Sequence, residues 1–156
     1  MNPPRLLHIA AFFDSCAFDG GSPQESGAAK KVLELLEQES SGVQLVHSVL
    51  KEIDYPRTPQ KVKAAALQCI QSLEVPLQAE EIPHKKRIEA IIVGNGSREK
   101  MKSDAEHVFL AFRNHANYFV TVDNRLLKKS TEIYRYTDSL KIVRPSELLD
   151  VIGCQF

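Results

Sequence analysis

Apolar and polar positions along this chain follow two alternating rhythms. Residues 6–13, LLHIAAFF, are apolar on both faces, as expected of a strand buried within a parallel sheet. AAKKVLELLEQES (28–40) then sets Val32, Leu35, Leu36 and the stem of Lys31 on one helical stripe. GVQLVHSVLKEI opens with a strand around residues 43–46 and continues as a helix through Ile53. TPQKVKAAALQCIQSL (58–73) predicts a stronger helix, with Thr58 as N-cap, Pro59 at the first helical position and an alanine-rich interior. PHKKRIEAIIVGNG (83–96) predicts another, stopped by a glycine. In KSDAEHVFLAFRNHA (102–116), Ser103 or Asp104 is expected to begin a helix that turns Val108, Leu110, Ala111 and Phe112 inward. NYFVTVD (117–123) reads as a strand, NRLLKKSTEIY (124–134) as a short helix, LKIVR (140–144) as a strand and PSELLDVI (145–152) as a closing helix.

Strands alternating with helices predict an α/β fold with a central, mostly parallel sheet and helices on both faces. The breaks DGGSPQESG (19–27), YPRTP (55–59) and VGNGS (93–97) are too short to separate independent cores, so residues 1–156 are expected to form one domain. Binding sites in such sheets lie beyond the carboxyl ends of the strands, where the connections diverge.

Composition narrows the partners. Lysine plus arginine equals aspartate plus glutamate, 20 against 20, so any polyanion must be met by locally segregated basic groups. The three cysteines, Cys16, Cys69 and Cys154, are widely spaced and form neither a CxxC pair nor a zinc-finger grouping. Reduced thiols are expected, with Cys16 a small packing residue. No apolar run approaches the roughly 18 residues of a membrane span, and MNPPRLL is too poor in apolar residues for a signal peptide. The expectation is a cytoplasmic protein with no membrane contact.

The chemistry lies in the acids. Asp14 falls at the carboxyl end of the first predicted strand and Asp123 at the end of YFVTVD, so a parallel sheet brings both to one edge. Asp104 falls in the first turn of its predicted helix, and Glu52 near the end of the segment after the second strand. Singly, each has an ordinary explanation: Asp104 as a helix N-terminal residue, Asp123 as a cap, Glu52 as a solvated acid. Together, carboxylates raise each other's pKa unless a cation compensates, and oxygen clusters are what hard Mg²⁺ or Mn²⁺ prefers.

In order along the chain, FFDSCAF, VLKEI, SDAEHVFLAF, YFVTVDNRLLKK and KIVRPSELL resemble the signatures of PIN-domain nucleases, especially of the VapC-like branch. The resemblance covers residues 8–150 and is most specific in its last third: a helix opening on Asp-Ala-x-His, a strand leading to Thr-x-Asp, and a strand leading to Pro-Ser-Glu. For the fold it implies a PIN-like three-layer sandwich. For function it implies a divalent-metal-dependent endoribonuclease that hydrolyses RNA phosphodiester bonds, leaving 5′-phosphate and 3′-hydroxyl ends. Asp14, Asp104 and Asp123 are the implied ligands of Mg²⁺ or Mn²⁺, with Glu52 holding a second ion or the attacking water. Thr121 occupies the hydroxyl position of the Thr-x-Asp motif, where it orients Asp123 or a water, and Ser15 matches the small hydroxyl residue after the first acid. Two positions depart from the pattern. Cys16 stands where Asn or Ser is usual, which loses a hydrogen bond but no ligand, and Asn124 stands where some relatives have a further acid, which weakens a second metal. The resemblance also brings a toxin–antitoxin setting, with an antitoxin protein or a second copy of the chain as partner. Its alternative is a catalytically weak PIN-like RNA-binding or protein-interaction module.

RNA needs cations around the acids. The candidates are Arg57 and Lys61, the run Lys85, Lys86, Arg87, then Arg98, Lys100 and Lys102, and Arg125, Lys128 and Lys129 beside the last acid. His107, three residues after Asp104, is expected to pack or hydrogen-bond near the site rather than ligate; His8, His47, His84 and His115 have no recognisable spacing. A haloacid-dehalogenase-type phosphatase wants a second acid two residues after the first, and that position is Cys16. A receiver domain wants paired acids at its first strand and a lysine after a late one, a poorer match.

Overall fold

The computed structural model describes residues 10–14, 16–17, 22–38, 43–45, 70–71 and 76–153. Five short strands, β1 (Ala11–Phe13), β2 (Val43–Leu45), β3 (Ile70–Gln71), β4 (Tyr118–Val120) and β5 (Lys141–Val143), form one sheet in the order β3-β2-β1-β4-β5. Every pairing is parallel, with Phe12 opposite Gln44 on one side and Phe119 on the other. The protein is therefore α/β. The helices are α1 (Pro23–Gln38), α2 (Ile82–Val93), α3 (Arg98–Arg113), α4 (Asn124–Leu127), α5 (Ser130–Thr137) and α6 (Pro145–Gly153), with a 3₁₀ turn at Ala79–Glu81.

The strand order explains where the helices lie. From β1 the chain steps to β2 and β3, then returns across β1 to add β4 and β5 on its other side. Parallel crossovers are right-handed, so reversing the direction of travel moves the connecting helices to the opposite face. Helix α1 belongs to one face, and α2, α3 and α5 to the other. The packing agrees: α1 lies against α6, α2 lies against α3 and touches α5, and β4 meets both α3 and α6.

One apolar cluster runs through these layers. It joins Phe12, Phe13, Phe119, Val120 and Ile142 of the sheet to Ile88 and Ile92 of α2 and to Leu148 and Ile152 of α6. Helix α3 contributes Met101, Ala105, Val108 and Phe109, the spacing of a single buried stripe. No helix among the described residues is long and apolar enough to cross a membrane.

Several predicted boundaries move. Helix α1 starts at Pro23, inside the predicted loop, because proline suits a first helical turn. Helix α2 stops at Gly94 as expected; its φ is 51°, and a Cβ there would lie 2.7 Å from the Lys129 amine. Helix α3 begins at Arg98 after Ser97, not at Ser103 or Asp104. The Gly94–Asn95–Gly96 turn already breaks the chain, and REKMK is good helix-forming sequence. The predicted helix 124–134 is two, parted at Lys128 and Lys129. Ile70 and Gln71 form a strand at the end of the stretch read as the helix 58–73, the rest of which lies outside the described residues.

A side-chain tie closes the α1–α6 face. The Glu25 carboxylate accepts from the Ser146 backbone N–H at 3.0 Å and from its hydroxyl at 2.9 Å, in the first turn of α6. A carboxylate there meets unsatisfied amides and the positive end of the helix dipole. Glu25→Ala is expected to cost about 1–2 kcal/mol. Thermal denaturation should show a midpoint lower by several degrees, with Glu25→Gln losing less.

Candidate functional site

The chain leaves β1 and β4 toward opposite sides of the sheet, so the crevice beyond their carboxyl ends is a topological switch point. Asp14 and Thr121 are the first residues past those two strands. Pairing continues one step further: the Asp14 amide donates to the Val120 carbonyl at 2.9 Å and the Thr121 amide to Val143 at 3.0 Å. Both side chains are buried, Thr121 completely and Asp14 with 7% exposure. The Thr121 hydroxyl donates to Asp14 Oδ2 at 2.9 Å, and its oxygen accepts the Asp123 backbone N–H at 3.1 Å. One hydroxyl thus orients the first acid and the backbone that carries the last.

Cys16 joins this pair. Its Sγ lies 3.4 Å from Asp14 Oδ2 and 3.5 Å from Thr121 Oγ1. The hydrogen bond expected to be lost with cysteine at this position is therefore made by the thiol. Burial and the neighbouring Asp14 charge push the Cys16 pKa up to about 11, so it is a thiol and no nucleophile at neutral pH.

Asp104 reaches the same crevice from the middle of α3, seven residues into the helix rather than in its first turn. Burial, then the charges of Asp14 and Asp123, raise its pKa from 3.8 to about 6, with His107 and Arg125 offsetting part of the effect. His107, one turn further along α3, is 2% exposed. Asp123 follows β4 and is the N-cap of α4, accepting the Arg125 amide at 2.9 Å. The Arg125 guanidinium also grips Asp123, Nε to Oδ1 at 3.2 Å and Nη2 to Oδ2 at 2.9 Å. The same Nη2 stands 3.9 Å from Asp104 Oδ2. The Arg125 hydrogen bonds hold the Asp123 carboxyl below the usual range.

Four of the five sequence-derived site residues thus come together: Asp14, Asp104, Thr121 and Asp123. Glu52 lies outside the described residues, as do Ser15, Arg57 and Lys61. In donor chemistry the carboxylates suit Mg²⁺ or Mn²⁺. Among the described residues, no three of Asp, Glu, His and Cys are gathered closely enough to hold one ion; Asp123 is engaged by Arg125 instead. Arg125 is the residue whose role sequence reasoning missed. It was legible only as a nearby cation, although the Asp-x-Arg spacing at a helix start puts guanidinium and carboxylate within reach. Of the other expected cations, Arg98 pairs with Glu89 at 2.9 Å, Lys85 lies over the Phe109 ring, and Lys86 and Arg87 are exposed.

No family model matches the chain, and no curated protein matches it significantly.

The raised Asp104 pKa fixes the sign of a stability effect. Between about pH 4 and 6 the folded protein holds a proton that the unfolded chain releases, so stability falls as pH rises through that window. Without divalent metal, Asp104→Asn is therefore expected to be more stable than wild type at pH 7.5, by about 1 kcal/mol after solvent screening. Urea titrations should show this gain shrinking toward zero near pH 4. Thr121→Val leaves the buried Asp14 oxygen without its hydroxyl donor and should cost about 1–3 kcal/mol, with Thr121→Ser recovering most of it.

Proposed function

We propose that this protein is a divalent-metal-dependent endoribonuclease of the PIN type, in its VapC-like branch, with the PIN three-layer sandwich as its fold. One observation carries the reading: Asp14 and Asp123, past the ends of two adjacent parallel strands, and Asp104, from a helix face, lie near one another at the switch point, so that after burial the charges of the first two help raise the pKa of the third. Together with the ordered FFD, SDAEH and TVD motifs, this supports a hydrolytic centre over an incidental cluster.

The residues divide the work. Thr121 and Cys16 both bind Asp14 Oδ2 and so fix the carboxylate that Asp14 would offer to a cation. Asp104 brings a second carboxylate from a rigid helix, and Asp123 a third from a backbone tied to Thr121. Glu52 is assigned to the attacking water or a second ion. When bound, Mg²⁺ or Mn²⁺ supplies activation of water and neutralisation of the charge growing on the phosphate. Attack by water rather than by the ribose 2′-hydroxyl leaves 5′-phosphate and 3′-hydroxyl ends. A cytoplasmic toxin held by an antitoxin, or acting as a homodimer, is the biological setting this reading implies. The grip of Arg125 on Asp123 favours a second reading, a weakly active module that binds RNA or protein.

The test is cleavage of an end-labelled RNA mixture with Mn²⁺, Mg²⁺ or EDTA. Wild type is expected to cut only with metal, and Asp104→Asn and Asp14→Asn to lose activity on the order of 100-fold or more. A folded wild type that binds metal and RNA without cutting would move the assignment to the second reading.

A further inference from the structure

We propose that Asn95 is a site of spontaneous deamidation, where the chain converts a side-chain amide into aspartate and isoaspartate through a cyclic imide. The inference is independent of the nuclease reading and involves none of the acids of the crevice.

Three observations converge on this residue. The first is its successor: Asn95 precedes Gly96, and a glycine leaves the attacking backbone nitrogen unshielded by any side chain. The second is position. Gly94, Asn95 and Gly96 are all exposed and form the turn between α2 and α3, entered through Gly94 at a φ of 51°. The third is contrast with the other asparagines of the described residues. Asn114 donates its side-chain amide to the Leu110 carbonyl at 2.8 Å. Asn117 Oδ1 accepts the Ala10 amide at 3.1 Å, and Asn124 Oδ1 accepts from Arg144 at 3.0 Å. Histidine, tyrosine and arginine follow these three, so a side chain crowds each backbone nitrogen. One contact opposes the reaction at Asn95: the Gly96 amide donates to the Val93 carbonyl at 2.7 Å, and that bond must open first. It closes an exposed turn, where local opening costs little.

The chemistry balances with water alone. The Gly96 nitrogen attacks the Asn95 side-chain carbonyl carbon and a C–N bond forms. The Cγ–Nδ2 bond breaks, and the proton of the Gly96 amide leaves with the departing nitrogen as ammonia. Water then opens the imide at either carbonyl: attack at Cγ gives aspartate, and attack at the main-chain carbon gives isoaspartate. Either product adds one negative charge to a chain whose formal net charge is zero. Isoaspartate also routes the main chain through Cβ, which lengthens the short joint between Val93 and Arg98 that sets α3 against α2.

The experiment is incubation of the full chain in mildly alkaline buffer, then trypsin digestion and mass spectrometry against an unincubated sample. The tryptic peptide 88–98 carries Asn95 alone, and the peptide 114–125 carries Asn114, Asn117 and Asn124. The first is expected to gain the amide-to-acid mass about tenfold faster than the second, because only its reacting nitrogen belongs to a glycine. This comparison is made within one molecule and needs no variant to fold. Methyl transfer by an isoaspartate-specific methyltransferase should label the 88–98 peptide. Ion exchange of the intact chain should show an acidic species growing with time, and Asn95→Gln should lack it. An unchanged 88–98 peptide, equal conversion of the two peptides, no methyl label, or an acidic species that persists in Asn95→Gln would each overturn the proposal.

Discussion

The structure depends on a reversal of direction at the middle of its sheet. β1 is the central strand, and its neighbours β2 and β4 are reached by connections that run opposite ways. With right-handed crossovers, that reversal sends α1 and α2–α3 to different faces and opens a crevice between the ends of β1 and β4. Everything in the site is placed by it. Asp14 and Thr121 meet because β1 and β4 are in register, with Phe13 opposite Val120, so each chain emerges from the sheet at the same height. Asp104 joins them because α3, whose buried stripe seats it in the core, crosses behind β4.

Placing the Asp104 carboxylate in a half-buried crevice beside two other acids works against folding. The Asp104 pKa is raised by burial first and then by its acidic neighbours, which is the direction of that opposition. The molecule offsets it locally and not through net charge, which is zero. Thr121 and Cys16 fix one oxygen of Asp14, Arg125 neutralises Asp123, and His107 contributes near Asp104. Strain of this kind, held in place by well-packed surroundings, is common where a protein does chemistry. The surroundings are well packed: the buried stripe Met101, Ala105, Val108 and Phe109 anchors the helix from which Asp104 projects.

The layered α/β organisation was legible because it is written in short-range pattern. Apolar runs such as AFF and YFV, and the helical stripes between them, depend on neighbours in sequence. Asp14 and Asp123 were legible for a related reason: a parallel sheet must deliver the carboxyl ends of its strands to one edge, whereas Thr121 stood out only through the resemblance of its Thr-x-Asp motif. Strand order was not written in that way, since residues 70–71 pair with β2 through contacts no local pattern records. The start of α3 differs from the expectation because Ser103-Asp104 is as good a local start as Ser97, while helix-forming REKMK, following the glycine turn and packed against α2, carries the helix back to Arg98. Charge pairing was the least legible feature. Arg125, Lys128 and Lys129 look alike in sequence, yet Arg125 alone of the three forms an ion pair with the acids among the described residues.

Asp123 shows why such pairing matters for reading a site. Its carboxylate is at once a helix cap, an arginine partner and a candidate ligand, and the three roles are not equally exclusive. The cap uses one lone pair of Oδ1 and a backbone amide that cannot leave, so it is compatible with a bound cation. The arginine contact takes both oxygens and comes from a side chain that is 58% exposed. The expectation that Asp123 caps the helix it precedes is therefore met by the geometry. A residue that ends a strand and caps the next helix has a fixed backbone and a defined rotamer, and this is the preorganisation that a ligand requires.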